Sequence, residues 1–174
     1  MSEKAVQQPD WRRGTVTSNG IRLATYELGD PSKPTVLLVH GWPDTHHLWT
    51  HIAPRLAEQY HVVAYDCRGF GESDRPRQVA AYRLDELADD LYAVAESVSP
   101  DDAVHVVAHD WGSVQTWEAV SRPRANARIA SFVSVSGPNL DHLGQFVRDQ
   151  VASPTPRHLR NVLAQSMSSA YTGL

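Results

Sequence analysis

Residues 103–112 read AVHVVAHDWG and join two segments of different pattern. The apolar start is typical of a buried strand, and a helical pattern follows over residues 114–120. A sharp strand-to-helix turn that exposes a nucleophile needs small residues on both sides, because bulky neighbours would clash. Ala108 and Gly112 take these two places around Asp110. The stretch therefore predicts a nucleophile elbow with Asp110 at its tip.

The segments around this stretch predict the sheet. Continuous apolar runs without alternation are typical of strands covered on both faces, as in a parallel sheet. Such runs occupy residues 35–39, 61–65, 103–108 and 129–135. An apolar stripe at helical spacing runs from Leu84 to Val98, and an Asn-Gly turn at residues 19–20 predicts an antiparallel hairpin of residues 14–17 with 21–27. We expect an α/β fold with a mostly parallel sheet and an N-terminal hairpin.

The pattern changes after residue 138. Helical segments are predicted at residues 142–151 and 159–169, separated by the break Ser-Pro-Thr-Pro. No further strand-helix unit follows them. We therefore expect residues 1–138 to form the N-terminal part of an α/β core and residues 139–174 to begin a helical cap.

Composition excludes several classes of protein. The chain has 174 residues and a net charge of −4, which argues against a nucleic-acid partner. One cysteine, Cys67, excludes an internal disulfide and a Cys-rich zinc module. Apolar runs such as residues 36–39 are far shorter than the roughly 20 residues that span a bilayer, and the polar start carries no secretory signal. We expect a cytoplasmic protein without a membrane span.

We expect no cofactor and no metal. The Gly-Phe-Gly of residues 69–71 is followed by Asp74 where a dinucleotide fingerprint needs glycine. His47 and His51 are spaced by one helical turn, but the chain has no H-E-x-x-H motif and no evident third ligand.

An aspartate at an elbow restricts the chemistry. Its carboxylate is ordinarily ionised at neutral pH, and attack on an sp³ carbon with a strained or good leaving group gives a stable alkyl ester. Epoxides and alkyl halides are such substrates. Water must then attack the ester carbonyl, a step that needs an oxyanion hole, for which the backbone N–H groups of Trp42 and Trp111 are available. The structural alternative is an Asp110 that only caps a helix.

Three motifs, in this order, resemble those of epoxide hydrolases of the α/β-hydrolase fold: HGWPD at residues 40–44, DCRGFGESD at 66–74 and HDWGS at 109–113. Together with VSGP at residues 135–138, they resemble more narrowly the hydrolase domain of bifunctional proteins that continue into a short-chain dehydrogenase. The resemblance implies opening of small apolar epoxides to vicinal diols through an alkyl ester on Asp110. It also implies a C-terminal short-chain dehydrogenase domain in the full-length protein.

The resemblance assigns roles to further residues. Trp42 and Trp111 would donate backbone N–H groups to the oxyanion. Tyr171 is the candidate for the cap tyrosine that donates a hydrogen bond to the ring oxygen. The residues expected to contact the substrate are His40, Gly41, Pro43 and His109.

Two other functions stay open. Haloalkane dehalogenases share HDWGS, although they usually carry Asn at the position of Trp42.

The epoxide hydrolase family places its acid and its base histidine after the cap. His142 and His158 are poorly placed to act as that base. We therefore expect a fragment or a truncated relative that lacks the base. The third hypothesis is a non-catalytic module, which would bind a partner along the apolar edge strand of residues 129–135.

Overall fold

The structure is a computed structural model that describes residues 8–168. Its sheet has six strands in the order β1-β2-β4-β3-β5-β6. Their bounds are β1 Arg12–Ser18, β2 Ile21–Leu28, β3 Thr35–Val39, β4 His61–Tyr65, β5 Val104–His109 and β6 Ile129–Val135. β1 and β2 form an antiparallel hairpin, β2 pairs antiparallel with β4, and β3 to β6 are mutually parallel. The predicted α/β class, with its mostly parallel sheet and N-terminal hairpin, is confirmed.

Burial explains why the central strands lack alternation. All five residues of β3 and all five of β4 are buried, because apolar clusters cover both faces of the sheet. One cluster includes Leu37 and the helix residues Leu91 and Ala119, and the other includes Leu38 and Trp49. A strand with a core on each face needs apolar side chains at every position.

The helices differ from the predicted ones mainly at their ends. Their bounds are α1 Ala53–Leu56, α2 Leu84–Val98, α3 Trp111–Val120, α4 Ala125–Arg128, α5 Leu140–Ala152 and α6 Pro156–Ser168. Two 3₁₀ turns occupy His46–Trp49 and Val79–Tyr82. Helix α3 begins at Trp111, three residues before the predicted position 114, because the helix starts directly after the turn at Asp110. The short helices α1 and α4 were not predicted, because a single turn is too short to set a periodic pattern.

The chain divides into two compact units, one up to Gly137 and one from Pro138 onward. In the second unit, the Asn139 side chain accepts a hydrogen bond from the backbone of His142 and caps α5. Helices α5 and α6 correspond to the predicted helical segments 142–151 and 159–169, and their limits differ slightly from the predicted ones. That this unit begins a cap stays a prediction. No helix within residues 8–168 is long and apolar enough to cross a membrane.

Strand β6 forms one edge of the sheet as described. It pairs with β5 on one side, and Val133 and Val135 are 52% and 42% exposed. Exposed apolar residues on an unpaired edge are a site where another strand can add. The partner-binding reading of this edge stays a prediction.

The loop after β4 is built around the buried carboxylate of Asp66. It accepts hydrogen bonds from the Tyr26 hydroxyl, the amide and ring Nδ1 of His46 and the amide of Glu72, each at 2.9 Å. Gly71 lies at φ +48°, and a Cβ there would fall on the Asp66 carboxylate. Asp66 therefore holds together β2, the 3₁₀ turn after β3 and its own loop.

The pKa of Asp66 reflects these contacts. Burial alone raises the pKa of this carboxyl, but the hydrogen bonds from His46 and Glu72 outweigh it and hold the pKa well below the usual range. Burial and the hydrogen bond to Asp66 raise the pKa of the Tyr26 phenol, so Tyr26 remains a donor. The network contains an ionised carboxylate that the fold keeps fully hydrogen-bonded.

A buried ion pair fixes the same loop to helix α2. Arg68 donates from Nε and Nη2 to the two carboxylate oxygens of Asp90, both at 2.6 Å, and from Nη1 to the carbonyl of Ala81. Burial opposes the charge on Arg68, but Asp90 outweighs it and the pKa of the guanidinium is raised. The pair sets the position of α2 relative to the strand ends.

Candidate active site

Asp110 lies at the sharp turn between β5 and α3. Its backbone has φ 54° and ψ −125°, in the left-handed region that non-glycine residues rarely adopt. The Asp110 amide donates to the carbonyl of Val135 at 2.9 Å, and the Asp110 carbonyl accepts from the amides of Ser113 at 2.9 Å and Val114 at 3.1 Å. A strained residue held by its surroundings in this way is typical of a functional turn.

The neighbours of this turn have no room for larger side chains. A Cβ on Gly112 would fall on the carbonyl of Val39 and within 2.6 Å of the His40 carbonyl. A Cβ on Gly137 would fall on the Asp110 carbonyl. Ala108, on the strand side, is fully buried. The small residues around Asp110 are therefore required by close backbone approach, as the elbow interpretation predicts.

The loop after β3 brings an amide to the Asp110 carboxylate. The Trp42 amide donates to Asp110 Oδ1 at 2.9 Å. Gly41 makes this approach possible, because a Cβ there would fall on Asp110 Oδ1 and lie 2.6 Å from the Trp111 amide nitrogen. Trp42, Asp110 and the first amide of α3 thus surround one small space. Among the described residues, only the Trp42 amide is hydrogen-bonded to this carboxylate.

His40 links the loop after β3 to the loop after β4. A carbonyl can only accept and an amide can only donate, so Nδ1 of His40 donates to the Gly41 carbonyl at 2.8 Å and Nε2 accepts from the Cys67 amide at 2.9 Å. Both ring nitrogens are used and the side chain is 1% exposed. His40 acts here by positioning Gly41. The predicted substrate contact of His40 stays a prediction.

The other predicted site residues are less closely involved. Pro43 is exposed and follows a cis Trp42–Pro43 bond. His109 is half-buried, its Nδ1 lies 3.9 Å from Asp44 Oδ2, and no hydrogen bond to this nitrogen occurs within residues 8–168. Tyr171 lies outside the described residues. No group of three metal-ligating side chains comes together in the part of the chain that the structure describes.

A cavity of about 220 Å³ opens beside the amide donors. Its lining combines the loop after β3, the loop after β4 and helices α2 and α3, and includes Phe70, Tyr82, Leu87 and Gln115. Of these residues only Phe70 lies in a quoted motif, that of residues 66–74, and none was predicted as a site residue, because the others come from separate segments without a shared motif. For Gln115 the sequence does carry a signal: this polar residue follows Trp111 by one helical turn, so the two side chains lie on the same face of the helix.

Comparison with known families agrees with this geometry. The sequence pattern of the alpha/beta hydrolase fold family matches residues 34–168, which is most of the chain. The chain belongs to the α/β-hydrolase fold family. The predicted resemblance to this family is thus confirmed.

Individual relatives of this α/β hydrolase are named as epoxide hydrolases or as an oxidoreductase. It is 46% identical over 157 residues to "Probable oxidoreductase EphD" of Mycobacterium tuberculosis, covering 90% of this chain and 26% of that protein. It is 42% identical over 127 residues to "Epoxide hydrolase A" of the same organism, covering 72% of this chain and 38% of the relative. The chain thus spans about a quarter to two fifths of these relatives.

Solved structures give the same result. An epoxide hydrolase from Vigna radiata superposes with a TM-score of 0.69 at 32% identity, covering 74% of this chain and 41% of that one. Epoxide hydrolase A from Mycobacterium thermoresistibile superposes with a TM-score of 0.66 at 32% identity, covering 71% and 38%. The α/β-hydrolase fold assignment therefore holds at the level of sequence and of structure.

Proposed function

We propose that this chain carries the nucleophilic part of an epoxide hydrolase, with Asp110 as the residue that attacks the epoxide. The observation that carries the proposal is the Asp110 carboxylate at a strained elbow with the Trp42 amide 2.9 Å from Oδ1. A residue that only caps a helix would bond its side chain to the amides of that helix, and Asp110 makes no such bond.

The first step forms an ester. Oδ2 of Asp110 attacks one ring carbon, a new C–O bond forms, and the bond between that carbon and the ring oxygen breaks. The ring oxygen leaves as an alkoxide and takes a proton from an acid, for which Tyr171 is the predicted donor. Trp42 holds Oδ1, which orients the carboxylate so that its other oxygen is the one that attacks.

The second step releases the diol. Water adds to the ester carbonyl carbon of Asp110, loses a proton to a base, and expels the alkoxide of the product, which is protonated in turn. Negative charge develops on the carbonyl oxygen, where the Trp42 and Trp111 amides would act as donors worth roughly 3–4 kcal/mol each. No histidine within residues 8–168 is hydrogen-bonded to Asp110, so the described residues supply the proposed nucleophile and the oxyanion donors, whereas the predicted acid, Tyr171, lies outside them.

Two observations favour an epoxide over an alkyl halide. Trp42 occupies the position where haloalkane dehalogenases usually carry Asn. Relatives and solved structures at 32% to 42% identity are named as epoxide hydrolases. The substrate we propose is a small apolar epoxide. The C-terminal short-chain dehydrogenase domain stays a prediction, which the word oxidoreductase in the name of one relative supports.

The proposal is tested by comparing two substrates. The chain is incubated with styrene oxide or with 1-bromobutane, and its intact mass and the release of bromide are followed. We expect a gain of one styrene oxide mass and no bromide release. Bromide release without an epoxide adduct would instead support the haloalkane dehalogenase hypothesis. The absence of both would contradict the proposal that Asp110 is a nucleophile.

Gly41→Ala is expected to slow formation of the ester strongly. The added Cβ would fall on Asp110 Oδ1 and displace the carboxylate from its attacking position, and a misplacement of about 1 Å can cost roughly 10²-fold in rate. The rate of mass gain measures the effect. Gly144→Ala is the matched control, because a Cβ there meets only the flexible end of Arg148 at 3.2 Å. Equal rates for the two variants would contradict the role of this close approach.

A further inference from the structure

The hydroxyl of Ser113 crosses the turn that carries Asp110. Ser113 is fully buried and lies on the helix side of this turn, whereas Ala108 lies on the strand side. Ser113 Oγ donates to the Ala108 carbonyl at 2.6 Å. This hydrogen bond joins the last turn of strand β5 to the first turn of helix α3, so the two sides of the turn can separate only if it breaks.

The same hydroxyl also contacts the end of strand β6. A hydroxyl that donates its hydrogen can still accept, and Ser113 Oγ accepts from the Val135 amide at 3.1 Å. The Val135 carbonyl lies 3.2 Å from Ser113 Oγ and accepts from the Asp110 amide at 2.9 Å. Ser113 therefore contacts both polar backbone groups of the residue to which the Asp110 amide is bonded.

The segment that follows β6 is held in place as well. Ser136 lies at φ 58°, and the Gly137 carbonyl accepts from Trp117 Nε1 at 3.0 Å and from Ser134 Oγ at 2.9 Å. A Cβ on Gly137 would fall on the Cβ of Ser113, so this segment and α3 are in close contact. The end of β6 is thus a firm support for whatever is bonded to it.

The backbone of Asp110 needs such a support. Its φ of 54° and ψ of −125° are rarely adopted by a residue with a side chain, and a strained backbone persists only where its surroundings hold it. Among the side chains of α3, that of Ser113 bonds to both β5 and β6. Ser113 does not line the cavity beside the amide donors, so any effect it has on the reaction must pass through Asp110.

We propose that Ser113 is a positioning residue for the Asp110 nucleophile. Its hydroxyl links the strand side of the turn, the helix side and the end of β6, and thereby keeps the Asp110 carboxylate beside the Trp42 amide. The proposal rests on the proposed function, because it assigns Ser113 a part in the attack by Asp110.

The variant Ser113→Ala tests this role. It keeps the Cβ and removes only the hydroxyl, so the Val135 amide loses that acceptor and the turn loses its cross-link. We expect the saturating rate of labelling by styrene oxide to fall about tenfold, because a misplacement of about 1 Å can cost up to roughly 10²-fold. The styrene oxide concentration that gives half of this rate should change by less than about twofold, since the hydroxyl does not reach the cavity.

Ser121→Ala is the matched control. Ser121 directly follows α3 and is exposed, and its Oγ donates to the Trp117 carbonyl at 2.8 Å, so the same group is removed away from the turn. We expect this variant to be labelled at the wild-type rate. Partial unfolding of Ser113→Ala would lower the final extent of labelling and not the rate constant, so both are measured. Equal saturating rates for the two variants would overturn the proposal, as would an effect of Ser113→Ala on the half-saturating concentration alone.

Amide hydrogen exchange separates this proposal from the proposed function. If styrene oxide does not alkylate Asp110 in the wild-type chain, the proposed function fails, and exchange of the Asp110 and Val135 amides still measures whether Ser113 holds the turn. We expect Ser113→Ala to raise both exchange rates about tenfold or more, and Ser121→Ala to leave them unchanged. Wild-type exchange rates at both amides in Ser113→Ala would overturn the proposal.

Discussion

Replacement of Asp110 with asparagine is expected to abolish covalent labelling of the chain by a reactive epoxide, with a loss in rate of roughly 10⁴-fold or more. The side chain keeps its shape and can still accept a hydrogen bond from the Trp42 amide, so the elbow itself is retained. The neutral amide is a far poorer nucleophile than a carboxylate, and the ester cannot form. The measurement is the time course of the intact mass in the presence of styrene oxide.

The matched control for this variant is Asp101→Asn. Asp101 is exposed and lies before β5, at the opposite end of the strand from Asp110. We expect its labelling rate to equal that of the wild-type chain. Labelling of Asp110→Asn at the wild-type rate would mean that another side chain reacts and would remove the basis of the proposed mechanism.

Asp66→Ala is expected to lower the free energy of unfolding by about 3–5 kcal/mol, a large share of the total for a domain of this size. The substitution leaves the Tyr26 hydroxyl and the donors of His46 and Glu72 without their common acceptor in a buried place. Urea unfolding followed by tryptophan fluorescence measures the loss. Glu96→Ala, which removes an exposed carboxylate, should have a far smaller effect. Equal losses would contradict the structural role of Asp66.

The contribution of Asp66 to the free energy of unfolding is expected to depend on pH. The pKa of Asp66 in the folded chain lies below that of an aspartate in the unfolded chain, about 3.9, so its stabilising contribution is fully present above that value and is lost as the pH falls below it. The difference in unfolding free energy between wild type and Asp66→Ala should therefore narrow as the pH is lowered from about 5 to about 3. A constant difference over this range would contradict the depressed pKa.

The fold follows from the sequence where burial leaves a clear pattern. The observed limits of β3, β4 and β6 equal the predicted ones, because strands of a parallel sheet are continuous apolar runs. Helix α2 is also predicted with its observed limits, since its apolar stripe is four turns long. The start of α3 is not predicted, because Gly112 and Ser113 carry no apolar pattern even though both are helical.

The candidate site is predictable to the extent that it depends on local chain geometry. Asp110, Trp42 and Trp111 follow from short motifs at strand ends, because neighbouring parallel strands bring their carboxyl ends together. The hydrogen bonds of Asp66 with Tyr26 and the placement of Gln115 against Cys67 do not follow from any motif. These contacts join residues that are 40 and 48 positions apart, and only the packed structure establishes them.

The most direct test of the nucleophile is the location of the epoxide adduct within the chain. After labelling with styrene oxide at neutral pH, the chain is digested and the modified residue is identified by tandem mass spectrometry. An added mass on Asp110, removed by alkaline hydrolysis as an ester must be, is the predicted result. Modification confined to Cys67 or to a histidine, with Asp110 unmodified, would contradict the assignment of Asp110 as the attacking group.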